Sequence, residues 1–132
     1  MSQKPLPLKH RLAAQLVDLS NGGKQDREIA GLVGGLAMAI ADKLKKPNWL
    51  AAKSAMGDAE RMVLLADFDK TIPERLKQGH GKHVYAMQLL GISVAVAGDP
   101  DPELRDGEKL LDDYIVAAEK LYRAVDDARK RG

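Results

Sequence analysis

A chain of 132 residues, 45% hydrophobic and 30% charged, is sized for one hydrophobic core and is too apolar to stay disordered. Its 21 Lys and Arg against 19 Asp and Glu leave a net charge of +2, so no global field points to nucleic acid or an anionic membrane as an obligatory partner. Cysteine is absent, which excludes disulfide scaffolds, thiolate zinc sites and cysteine nucleophiles together.

In chain order, residues 1–6 read as a tail. They hold no apolar stretch of secretory length, so no cleaved leader is expected and a cytoplasmic location is. Leu8, Leu12, Leu16 and Leu19 recur at the helical period, which predicts a first helix over 7–20 with Pro7 at its first turn. Asn21-Gly22-Gly23 offers it a left-handed cap. A second helix runs from Asp26 to Lys46, where Pro47 disfavours helical backbone in the residue before it. Its apolar run, Ile29 to Ala41, is too short for the roughly 20 residues that cross a bilayer. Gly31, Gly34 and Gly35 lie inside it and weaken it by about 2–3 kcal/mol relative to alanine, which predicts close packing against a neighbouring helix as the offset. Gly31 and Gly35 alone also make a GxxxG spacing.

Asn48 is placed to cap a third helix over 49–69, with Trp49, Ala52, Met56, Ala59, Val63 and Ala66 turned inward. Thr71-Ile72-Pro73-Glu74 matches a capping box and predicts a short fourth helix over 72–78, broken by Gly79 and Gly81. Val84 to Ala97 has almost no polar face and reads as the central, buried helix. The last helix, over 104–129 with its end frayed at 130–132, carries a stripe of Leu110, Tyr114, Ala117, Leu121, Val125 and Ala128, and Gly107 threatens its first turn. The expected fold is all-α, an irregular bundle of five or six helices in a single domain.

Two motifs carry resemblances. Val63-Leu64-Leu65-Ala66-Asp67-Phe68-Asp69-Lys70-Thr71 resembles the first motif of the haloacid dehalogenase-like phosphatases. That resemblance implies Asp67 as nucleophile, Asp69 as acid/base, and a parallel sheet presenting Ser93, Lys109 and the Asp112-Asp113 pair, with magnesium. The helical stripe reaching back to Trp49 is the competing reading and leaves no strand there. Arg27-Glu28-Ile29-Ala30 followed by Gly34 resembles the first half of a helix-turn-helix, but Leu36, Ala37, Met38 and Ala39 supply no polar side chains for reading base edges.

The first 98 residues carry the basic excess and the remainder the acidic one. The densest basic stretch, Lys43, Lys45, Lys46 and Lys53 around the lone Trp49, is the expected partner-binding corner. Trp49 alone reads first as a packing residue. His80 and His83 lack the i, i+4 spacing of a zincin pair, and His10 stands alone, so no metal and no cofactor are expected. Helices 2, 5 and 6 carry more apolar surface than a small bundle readily hides. The reading is a non-enzymatic protein-interaction module such as an inhibitor, adaptor or regulatory subunit, with a protein partner or a second copy of itself. The alternatives are a DNA-binding protein using the corner from Lys43 to Lys53 and, more remotely, an Asp-dependent phosphohydrolase.

Overall fold

The computed structural model describes residues 6–22 and 26–131. Six α-helices and one 3-10 turn make up the fold, with no strand among the described residues. The helices are α1 (Leu8–Asn21), α2 (Arg27–Lys43), α3 (Trp49–Ala55), α4 (Asp58–Lys77), α5 (Gly81–Ala97) and α6 (Arg105–Arg131), the turn spanning Pro102–Leu104 before α6. The bundle is therefore all-α, as its periodicity predicts. Residues 1–5, the greater part of the predicted tail, lie outside the described residues.

Because α5 is apolar on every side, it sits at the centre. It buries Val84, Ala86, Leu89, Leu90, Ile92, Val94 and Val96, and α1, α2, α4 and α6 pack around it. The stretch Ile92 to Val96, which has strand propensity, is helical because no second strand exists to take its hydrogen bonds.

Side-chain caps set the starts of α2 and α3. Asp26 Oδ1 accepts from the backbone N–H of Glu28 (2.9 Å) and Ile29 (3.1 Å), and Asn48 Oδ1 from that of Ala51 (2.9 Å). The first helix ends with Gly22 in extended backbone (φ 167°) rather than in the predicted left-handed cap, and Gly23 lies outside the described residues. Helix α2 stops three residues earlier than Pro47 requires. Lys45 adopts φ 58°, and the Lys46 N–H reaches back to the Ala41 carbonyl (2.9 Å), closing the helix with a lysine where glycine is usual.

The predicted third helix is two helices. Met56 is extended (ψ 129°), Gly57 caps α4, and the Arg61 guanidinium holds the corner by donating to the Met56 carbonyl (2.8 Å) and pairing with Asp58. The Gly57 N–H donates to Glu60 Oε1 (3.3 Å). Conversely, the predicted fourth helix does not exist separately. α4 runs through Thr71-Ile72-Pro73-Glu74, keeping Pro73 inside it on the solvent side, because Phe68 and Ile72 anchor the helix against the core on both sides of the capping-box start. It ends where predicted, at Gly79 (φ 79°).

Close packing of α2 against α6 is what the glycines provide, with a correction of detail. A Cβ at Gly34 would run into the Ala118 carbonyl oxygen and come within 2.9 Å of Tyr122 Cβ, and one at Gly35 would lie 3.1 Å from the Tyr122 ring. At Gly31 nothing lies within 4 Å. The working pair is thus Gly34 and Gly35, and Gly31 takes no part. Gly107 does not split α6; it lets α1 approach, since a Cβ there would lie 3.1 Å from Leu12 Cγ.

Candidate functional site

The predicted corner separates into an inside and an outside. Lys43, Lys45 and Lys46 are exposed, but Trp49 is fully buried and Lys53 is 7% exposed. For these two the structure corrects the reading of a surface site. Starting α3 at Asn48 turns Trp49 and Lys53, four residues apart on one helical face, against α5 and α6.

There they join a buried polar cluster. Lys53 Nζ donates to Glu108 Oε2 (2.8 Å) and pairs with Asp112. Asp112 Oδ1 accepts from Ser93 Oγ (2.7 Å), and the Trp49 indole N–H lies 3.4 Å from the same Oγ. The Trp49 backbone N–H donates to Glu119 Oε2 (3.0 Å), which caps α3 from α6. Arg105 braces Glu108 (2.8 Å) and donates to the Val96 carbonyl (3.0 Å). Burial pushes the Asp112 carboxyl above its ordinary value, opposed by Lys53 and the Ser93 hydroxyl. Burial also raises Glu119, opposed by the Trp49 N–H and Arg123. Ser93 is fully buried and Glu108 and Asp112 are largely so; the cluster fixes α3 to α5 and α6.

The residues of the phosphatase-like motif are not brought together. Their segment is helical, and Asp67 and Asp69, two residues apart on α4, line different depressions. Of the residues that the motif would require elsewhere, Ser93 and Asp112 meet, but inside the polar cluster. His80 and His83 are exposed neighbours with ring centroids 5.5 Å apart, and His10 is exposed on α1. No group of three or more His, Asp or Glu side chains able to hold a metal occurs among the described residues. No helix among them is long and apolar enough to cross a membrane.

What remains on the outside is a groove of about 330 Å³ where the end of α2 meets α4. Ile40, Leu44, Met56, Val63 and Leu64 form its apolar lining. Lys43 stands on one edge, continued by Lys45 and Lys46 in the turn, and Glu60 and Asp67 stand on the other. Among the described residues none of the three lysines has a carboxylate within ion-pair distance. Val63, in that lining, is 63% exposed. The helical-period stripe from Trp49 to Ala66 predicts Val63 inside. That stripe holds as far as Met56; the break at Gly57 resets the register, turning Ala59, Val63 and Ala66 outward while Leu64, Leu65 and Phe68 pack inward. The signal that could have shown it is Gly57-Asp58 with Glu60, a helix start in the middle of the predicted helix.

A second depression of about 600 Å³ opens between α1 and α4 over α5, with Gly91 and Ala95 on its floor and Arg11 and Asp69 at its rim. A third, of about 580 Å³, runs between α1 and α6 and is lined by Leu16, Leu19, Leu110, Asp113, Tyr114 and Ala117. Compared with protein families, with curated proteins and with solved structures, the chain matches none.

Proposed function

We propose that this protein is a non-enzymatic helical module that works by binding a partner protein, and that the α2–α4 groove is the contact. The observation behind this reading is the exposure of Val63 in an apolar groove whose lysine edge is unpaired among the described residues. Burying one such side chain contributes about 1.5–3 kcal/mol, and a few such anchors dominate protein interfaces. The fitting occupant is an amphipathic helix of the partner with apolar anchors for Ile40, Leu44 and Val63 and carboxylates facing Lys43, Lys45 and Lys46. Charges on that rim steer encounter and orient the helix more than they add affinity. An inhibitor, adaptor or regulatory subunit in the cytoplasm fits this description.

The test is affinity capture from native extract with wild type, Val63→Asp and the Lys45→Glu/Lys46→Glu pair side by side. A stoichiometric protein retained by wild type and lost by both variants, at unchanged helicity, is expected. Identical captured sets from all three would overturn the reading.

The unpaired lysines favour a second reading, duplex DNA bound through their ammonium groups. Three phosphate contacts would give a salt slope of about −2.7. Asp42, exposed on α2, and Glu60 and Asp67 across the groove oppose it electrostatically. Salt-sensitive DNA binding lost in Lys45→Ala/Lys46→Ala would place it first.

A further inference from the structure

We infer that the α1–α6 face is a self-association surface, on which two copies pair isologously through antiparallel α6 helices and bridge Asp113 to Lys120 of the second copy twice. This face lies apart from the α2–α4 groove, so it stands or falls independently of the partner-binding reading.

α6 carries an apolar stripe that the bundle does not use up. Leu110, Tyr114, Ala117 and Leu121 follow the 4-3-4 spacing of a helix seam. The bundle covers only part of it. Tyr114 is buried and Leu121 partly so, while Leu110 is 60% exposed and Ala117 is exposed. The interior contact of α6 is made one residue round, by Leu111, Ile115 and Ala118. The groove between α1 and α6 leaves room against this stripe for another helix.

The stripe is its own complement when a second α6 runs antiparallel: Leu110 falls opposite Leu121, and Tyr114 opposite Ala117. In that register the flanking positions bring Asp113 of one copy to Lys120 of the other, and the two-fold axis repeats the pair. Both side chains are exposed, and neither has an ion-pair partner among the described residues. Within one chain they are seven residues, about 10 Å, apart along the helix and do not meet. The same geometry sets Asp106 opposite Asp127, a repulsion at each end of the seam.

Sedimentation equilibrium at micromolar concentration, at low and moderate salt, reads the outcome. Wild type is expected as a dimer. Asp113→Lys and Lys120→Asp singly set like charges against each other twice and should weaken it on the order of tenfold or more. The double variant Asp113→Lys/Lys120→Asp should restore it, and Asp127→Lys should tighten it. Restoration cannot come from within a chain, so it is specific to pairing between copies. Because the chain has no cysteine, Leu110→Cys/Leu121→Cys, which sets a thiol opposite a thiol across the two-fold, provides an independent reading: oxidation should give a disulfide-linked dimer, whereas Asp67→Cys should not. A monomeric wild type, single variants that dimerise unchanged, or a double variant no better than either single would overturn the inference.

Discussion

Two glycines on one helix face opposite situations. At Gly34 the α6 backbone occupies the space a methyl group would need, so Gly34→Ala must push α2 and α6 apart and should lose about 1–3 kcal/mol despite the better helix propensity of alanine. At Gly31 the space is open, and Gly31→Ala should gain about 0.5–1 kcal/mol. Thermal or urea unfolding of the pair checks this, and equal effects would contradict the α2–α6 contact. Lys53 is the other informative residue. Replacing it by Met leaves Glu108 and Asp112 facing each other with little water, and breaking a buried pair from one side should remove about 3–5 kcal/mol at neutral pH. Burial already raises Asp112, so its native state holds the proton more tightly than the unfolded chain does, and its contribution to stability falls as pH rises through that range. Losing Lys53 raises it further, so the variant should regain part of its loss in mildly acidic solution. Unfolding at both pH values decides, and a loss independent of pH would contradict the placement of Lys53.

At the scale of elements, the central helix was legible because Val84 to Ala97 admits no polar face, and α1 because its leucines keep one period. Boundaries failed where two local signals competed. Thr71-Ile72-Pro73-Glu74 is a sound helix start, yet Phe68 and Ile72 hold α4 straight through it, so tertiary contacts outweigh the proline. Pro73 then sits in a helix interior without an N–H to donate, and Pro73→Ala should stabilise the protein by up to about 3 kcal/mol with no loss of helicity. Circular dichroism with urea unfolding measures it; a destabilised variant would mean that the chain needs the proline there. At Gly57 the competition went the other way. The stripe from Trp49 runs on past it in sequence, but Glu60 and Arg61 stabilise the corner that ends α3.

At the scale of the molecule, the fold class was readable from periodicity, but half of the candidate site was not. Val63 is expected inward with the stripe that breaks at Gly57, whereas Leu110 and Ala117 lie on a stripe that α6 turns one residue away from the core. Each of them meets the bundle's exterior. Periodicity states which residues seek an apolar neighbour and not whether that neighbour belongs to the same chain. The corner failed for the converse reason. Charge density in sequence joined Lys53 to Lys43, Lys45 and Lys46, whereas its aliphatic stem and ammonium group are accommodated inside by Glu108 and Asp112.

On the proposed reading, another protein occupies the groove at Val63 in the cell. A photo-crosslinking residue introduced at position 63, and in parallel at exposed Leu76 farther along α4, tests it in living cells of the source. One discrete adduct, heavier than the chain alone, is expected from position 63, diminished by Lys45→Glu/Lys46→Glu, and none from position 76. No adduct at 63, or the same adducts at both positions, would contradict it.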